Sequence, residues 1–212
     1  MSCAICAVRR PKRHCPGVQG DICSICCGAE REVTVSCPLD CEYLQDARRH
    51  EKAVPLNSSD LPHQDIRLTD EFLNDHDDLL MALGAILVEA ALDTARAVDS
   101  DVRAALMALV RTYRTLEAGV YYETLPDNAI AARVFRAVQE RIEEFRNQER
   151  RRLGMPKTRD GDILRCLVFF ERVEFDRDNG RPRGRAFIDL LRGLALSPER
   201  PTKSRDSLVL IR

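Results

Sequence analysis

Eight of the nine cysteines fall between residues 3 and 41, at Cys3, Cys6, Cys15, Cys23, Cys26, Cys27, Cys37 and Cys41, and no other feature of the chain restricts its fold so strongly. A segment of about 50 residues buries too little apolar surface to hold itself together, so cross-links or bound metal must supply much of its folding free energy. Disulfides form in oxidising compartments. The opening "MSCAICAVRRPKRHC" has no apolar run of the roughly 7–15 residues that a secretion signal requires, so a cytoplasmic location with reduced thiols is expected. Redox catalysis by a Cys-x-x-Cys pair calls for a thioredoxin-like strand–helix setting, which the residues around these pairs do not provide. Metal coordination is the reading that remains.

The spacing supports it. Cys3-Ala-Ile-Cys6 and Cys23-Ser-Ile-Cys26 are two-residue knuckles, which let neighbouring thiolates reach one tetrahedral ion. Cys37-Pro-Leu-Asp-Cys41 is expected to project both sulfurs from one side of a first helical turn, with Pro38 where a missing N–H has no partner. The helix dipole favours thiolates there. Eight thiols make two four-thiolate zinc sites. The expected grouping places Cys23, Cys26, Cys37 and Cys41 on one zinc through a knuckle, a strand at "EVTV" (32–35) and a helix, a treble-clef-like order. Cys3, Cys6, Cys15 and Cys27 then hold the other. A cross-braced grouping, first knuckle with second, is the alternative. His14 could replace one thiol but sits in a basic run, and His50 lies too far along the helix from Cys41. An iron–sulfur cluster is the other metal reading. Cys37-Pro38 matches the Cys-Pro that closes a ferredoxin run, but the adjacency of Cys26 and Cys27 breaks the spacing that should precede it. Sites closed by four protein ligands leave no position for a reactant, so the metal is expected to be structural.

The remaining chain reads as helices. Residues 53–66 are expected to be a linker, 67–196 a helical bundle and 197–212 a C-terminal tail, behind a zinc-binding module at 1–52. Thr69 can cap a helix with Phe72, Leu79, Leu80, Leu83, Ile86, Leu87 and Ala90 inward. Asp99 or Ser100 opens a second, with Val102, Leu106, Leu109, Tyr113, Leu116 and Val120 inward. Asp127 opens a third, carrying Ile130, Val134, Val138, Ile142 and Phe145 and ending where Gly154 can adopt the left-handed cap. Residues 160–176 fit either a helix or a hairpin turning at "DNG" (178–180); the helix is the expected form, with a short helix through Phe187 and Leu191 after it. Cys166, alone in "ILRCLVFF", reads as core. Tyr121 and Tyr122 read as a packing corner, and "SLVLIR" near the end as a docking or fraying segment. The most apolar run, Leu79–Val88, is 10 residues, well short of the roughly 20 that span a bilayer. Fold class is therefore mainly α, a bundle with a small zinc-binding module.

The stretches "CPGVQGDICSICCGAEREVTVSCPLDCEYL" and "LVRTYRTLEAGVYYETLPDN" resemble a group of uncharacterised bacterial proteins with a cysteine-rich head and an all-helical body. The resemblance implies the same two-part architecture and no particular activity.

Charge is unevenly distributed: net +1 over residues 1–52, −9 over 53–132 and +7 over 133–212. The acidic and basic regions can pair within one bundle. Phosphate-binding loops, dinucleotide fingerprints and nucleophile elbows are missing from the sequence. The carboxylate pairs Asp77–Asp78 and Glu143–Glu144 fall on expected helix faces, as does His76; His63 stands alone. The expectation is a non-enzymatic protein that works through a protein partner, with no membrane and no small-molecule substrate. Two alternatives stand beside it: nucleic-acid binding through the basic loops 150–159 and 181–185, and iron–sulfur redox chemistry.

Overall fold

The computed structural model of the chain describes residues 2–51 and 57–196. The tail at 197–212, with "SLVLIR", and residues 53–56 of the expected linker lie outside the described residues. Strands β1 (Arg13–Cys15) and β2 (Gly20–Ile22) form an antiparallel hairpin. Helices α1 (Ser24–Glu30) and α2 (Glu42–Arg49) complete the cysteine-rich head. A 3-10 turn at Ser58–Asp60 leads to α3 (Asp70–Asp75), α4 (Asp77–Asp93), α5 (Asp99–Glu117), α6 (Ala129–Leu153), α7 (Asp160–Arg177) and α8 (Ala186–Leu196). Among the described residues no helix is long and apolar enough to cross a membrane.

In the body, α5 packs against α6 and α7, while α4 packs against α6, α7 and α8. One apolar core joins them, including Leu83, Leu87, Leu106, Leu109, Phe135, Val138, Leu167 and Phe187. All but Phe135 are positions that helical periodicity assigned inward, and residues 160–177 are indeed helix, whereas Val120, also assigned inward, lies beyond the end of α5 and is exposed. Cys166 is fully buried in this core, and burial pushes its thiol up to about 12, as for a small hydrophobe. Helix α6 stops at Gly154, whose φ of 78° is the left-handed cap.

Three local expectations need correction. The first body helix is two: His76 stacks on Phe72 with ring centroids 4.2 Å apart, and its Nδ1 lies 3.0 Å from the Phe72 carbonyl oxygen. The His76 backbone N–H still donates to the Phe72 carbonyl at 3.1 Å, and the break between α3 and α4 lies in the His76 backbone, whose φ of −114° and ψ of 23° depart from helical values. The third is capped by Asn128 rather than Asp127, its Oδ1 accepting from the Ile130 N–H at 2.8 Å. Tyr121 and Tyr122 do not form a packing corner; they are 67% and 66% exposed.

The head is tied to the body by a polar junction centred on Glu32. Glu32 is 2% exposed and sits at φ 53°, a conformation most side chains avoid. Its carboxylate accepts from Arg48 Nη2 at 2.7 Å, Asn179 Nδ2 at 3.1 Å and the Arg185 backbone N–H at 3.1 Å. Its carbonyl accepts from the Arg183 N–H at 2.8 Å. Arg48 also pairs with Asp189 of α8, to which Gln45 donates at 2.9 Å. Arg192 reaches Asp40 at 2.6 Å, and Leu39 enters the main apolar core. Residues 57–66, expected as linker, lie along the bundle. The buried Arg172 guanidinium donates to the carbonyls of Pro62, His63 and Ile66 at 2.7–3.0 Å.

Asp99, at the start of α5, supplies the N-cap that α8 lacks locally. Its carboxylate accepts from the Phe187 and Ile188 N–H groups at 2.9 and 3.1 Å. Burial raises its pKa from 3.8 to about 7, an effect that those two N–H groups oppose. The folded protein therefore holds a proton that the unfolded chain releases between about pH 4 and pH 7. Stability attributable to this group falls as pH rises through that window and is level above it. Asn at this position keeps an acceptor for the cap without titrating. Asp99→Asn should flatten the pH 4–7 slope of the urea midpoint.

Candidate metal centre

Two knuckles meet at the end of the hairpin. The first is the turn Cys3–Cys6, in which the Ala7 N–H donates to the Cys3 carbonyl at 2.8 Å and Ala7 takes φ 55°. The second opens α1, where Cys23 is the N-cap and its Sγ accepts from the Cys26 N–H at 3.4 Å. The hairpin brings them together. Its register sets Arg13 against Ile22, and the segment before β1 is held to β2 by Ala4 N–H to Asp21 carbonyl and Lys12 N–H to Ile22 carbonyl, both 2.9 Å. Ile22, Cys3, Cys23 and Cys26 form a small buried cluster separate from the main core.

The ligand atoms of Cys3, Cys6, Cys23 and Cys26 all lie within 4.8 Å of one another. A tetrahedral ion with Zn–S bonds of about 2.3 Å holds its sulfurs about 3.8 Å apart, so the four thiols fit such an ion with little adjustment. Cys3, Cys23 and Cys26 are buried and Cys6 is half-buried. Backbone N–H groups serve as the sulfurs' hydrogen-bond donors, among them Cys23 N–H to Cys3 Sγ at 3.2 Å. Amides of Cys6, Cys23 and Ile5 overcome desolvation to lower the Cys3 thiol to about 6, and amides of Arg9 and Val8 lower Cys6. Cys26 moves the other way, to about 12, through burial and its neighbouring thiols. The environment thus draws negative charge onto some sulfurs while resisting it on all four together. A cation resolves that conflict, because a metal-bound thiol is a thiolate whatever its free pKa. The Arg9 guanidinium, raised by its hydrogen bond to Cys23 and the charge of Cys6, supplies further positive charge.

This is the cross-braced grouping, first knuckle with second. The expected sharing of one ion by Cys23, Cys26, Cys37 and Cys41 is corrected. The expected strand at 32–35 is instead a turn closed by an Arg31–Val35 bridge, because Glu32 turns inward to the junction at positive φ. Cys37 and Cys41 are thereby carried away from the second knuckle. Nor do they share a helical turn: Cys41 is the N-cap of α2, and residues 38–41 form a turn with Cys41 N–H to Pro38 carbonyl at 3.1 Å. Leu39, within that turn, needs the inward direction to reach the main core.

Comparison with protein-family models, with curated proteins and with solved structures finds no match. The site is read from its own chemistry.

The other four N-terminal cysteines, Cys15, Cys27, Cys37 and Cys41, are half-buried and line a second small depression. Burial raises the Cys37 thiol, and the charges of Glu32, Cys41 and Cys15 act in the same direction. His14 also borders this depression, with its Nδ1 3.2 Å from the Asp21 carboxylate, and His50 lies near Asp46 at the exposed end of α2. Gly17, in the hairpin turn, is pressed against the 35–36 segment: a Cβ there would stand 2.7 Å from the Ser36 carbonyl oxygen and from Val35 Cγ1. Gly17→Ala should therefore destabilise the metal-loaded head by about 1–3 kcal/mol, measured as a lower denaturation midpoint.

Sequence reading missed the glutamate-centred junction altogether. Its only written trace was the cluster of arginines at 181–185. Those residues are used internally: Arg181 donates to the Arg31 carbonyl, Arg183 donates to Ser36 Oγ at 2.7 Å, and Arg185 gives its backbone N–H to Glu32.

Proposed function

We propose that the protein is a non-enzymatic zinc-binding scaffold that works by docking another protein. The observation that carries this reading is the closed donor set: Cys3, Cys6, Cys23 and Cys26 with ligand atoms within 4.8 Å of one another. Four thiolates saturate a tetrahedral ion, and catalytic zinc keeps one position for water or substrate. Sulfur-only ligation at this spacing favours zinc or iron over hard cations. The separate knuckles, with Cys26 and Cys27 adjacent, favour zinc. Zinc here stabilises the head, which has only a small apolar cluster of its own. The order of first knuckle, hairpin and cysteine-bearing helix α1 supports a treble-clef-like head, built on a different cysteine set from the one expected. The N-terminal thiols suffice for two ions.

The protein-docking part of the reading is supported by the loop after α5. Val120, Tyr121, Tyr122 and Leu125 are exposed there. The loop backbone is nevertheless held: Thr124 N–H donates to Thr112 Oγ1 at 3.1 Å, and Thr115 Oγ1 donates to the Tyr122 carbonyl at 3.2 Å. Aromatic side chains on a fixed backbone lose little further entropy on binding, which suits a protein interface. Nucleic-acid binding has less support, since the guanidinium groups of Arg181 and Arg183 are engaged within the fold and four-thiolate zinc would add negative charge to the head.

Metal analysis of the purified full chain tests the first half. Zinc without iron is expected, and a brown protein with iron–sulfur absorbance would overturn it. A photo-cross-linker at position 121 tests the second half. It should yield a discrete protein adduct in cells, and Tyr122→Ala should weaken it. Adducts to nucleic acid alone would contradict the proposal.

A further inference from the structure

We propose that Cys15, Cys27, Cys37 and Cys41 form a second zinc site, interleaved in sequence with the first, and that this ion fastens the head to the helical body. The inference rests on the zinc reading of the first site and extends it to donors in a different place. Four observations support it together.

The four thiols come from three different pieces of structure. Cys15 ends β1, Cys27 lies on α1, and Cys37 and Cys41 flank the turn that opens α2. All four nevertheless line one depression, floored by Ile22 and Leu44, in which the space open to a water-sized sphere is only ≈ 10 Å³. That is room for a small ion and its ligands rather than for an organic molecule.

None of the four is joined in a disulfide. Cys41 occupies an N-cap position, where side chains commonly accept a hydrogen bond from the helix, yet it makes no such bond. Its sulfur is therefore available as a ligand.

Positive charge is placed at the same spot. Arg13 Nη1 lies 3.7 Å and Arg31 Nη2 3.9 Å from Cys27 Sγ, and the Arg13 guanidinium is stacked over Tyr43 at 4.0 Å. A four-thiolate zinc centre carries net charge −2 and is stabilised by such donors to sulfur.

The site also lies where an ion would have a mechanical consequence. The turn between Cys37 and Cys41 carries Leu39, which packs in the main core, and Asp40, which pairs with Arg192. Helix α2 carries Gln45 and Arg48, which reach Asp189. An ion joining Cys15 and Cys27 to Cys37 and Cys41 thus couples the hairpin and α1 to the segment that holds the body. Among the described residues these sulfurs do not meet the 4.8 Å spacing of the first set. Binding must therefore draw these sulfurs closer together than they stand here.

The test uses the full wild-type chain loaded with zinc alone. Zinc content is measured, and thiol protection against an alkylating reagent is mapped by mass spectrometry. Two zinc per chain are expected, with Cys15, Cys27, Cys37 and Cys41 alkylated about tenfold more slowly than after chelation. One zinc per chain, with these four freely alkylated and Cys3, Cys6, Cys23 and Cys26 protected, overturns the second site and leaves the first standing. No bound zinc at all overturns the underlying reading as well. The Cys37→Ser, Cys41→Ser chain should keep one zinc and become susceptible to proteolysis between residues 36 and 50. If it keeps two, these donors are wrong.

Discussion

Cys23→Ser should cost the head its first metal ion and its ordered structure while most of the body's helical signal survives. The substitution is informative because Cys23 has two roles, ligand and N-cap of α1. Serine is itself a favoured N-cap, so the cap, worth about 1 kcal/mol, is retained. Only coordination is lost, and structural zinc in small modules is worth on the order of 10–16 kcal/mol. The core of the body contains none of Cys3, Cys6, Cys23 or Cys26, so its packing does not depend directly on this ion. Zinc content, proteolysis of residues 2–30 and far-ultraviolet circular dichroism together check the outcome. A loss of only about 1 kcal/mol with unchanged metal content would show that the thiol is not a ligand.

The second large effect is expected at Glu32. Glu32→Ala removes the carboxylate that Arg48, Asn179 and the Arg185 N–H share. Arg48 then keeps Asp189 but loses half of its countercharge in a mostly buried position. Breaking a buried ion pair from one side commonly costs about 3–5 kcal/mol. Glu32→Gln, which can still accept hydrogen bonds, should fall between Ala and wild type. Glu32→Gly relieves the positive φ yet should remain well below wild type, which separates the carboxylate from the backbone. The readout is the urea midpoint followed by circular dichroism. Equal stability of Ala and wild type would mean that the head is held to the body by other contacts.

The body was legible because its helices obey one period. Leu83, Leu87, Leu106, Leu109, Val134 and Val138 are buried where spacing placed them, and Thr69 and Gly154 cap as their chemistry requires. The break at His76 was hidden, because it lies in the backbone conformation of His76 itself and no proline or glycine marks it. In the head the residue types were informative and the partition was not. Two knuckles can be paired in several ways, and the choice was made by the hairpin and by the positive φ of Glu32. Neither leaves a clear sequence mark: Gln19 and Glu32 take left-handed conformations with no glycine at those positions. The junction was equally concealed. Glu32, Arg48 and Asp189 are far apart in sequence, and each alone reads as an ordinary surface charge.

Zinc-edge X-ray absorption on the metal-loaded full chain tests the closed-site account most directly. The account predicts a first shell of four sulfurs at about 2.3 Å and nothing lighter. A nitrogen or oxygen scatterer in that shell would mean an open or mixed site, and would contradict it.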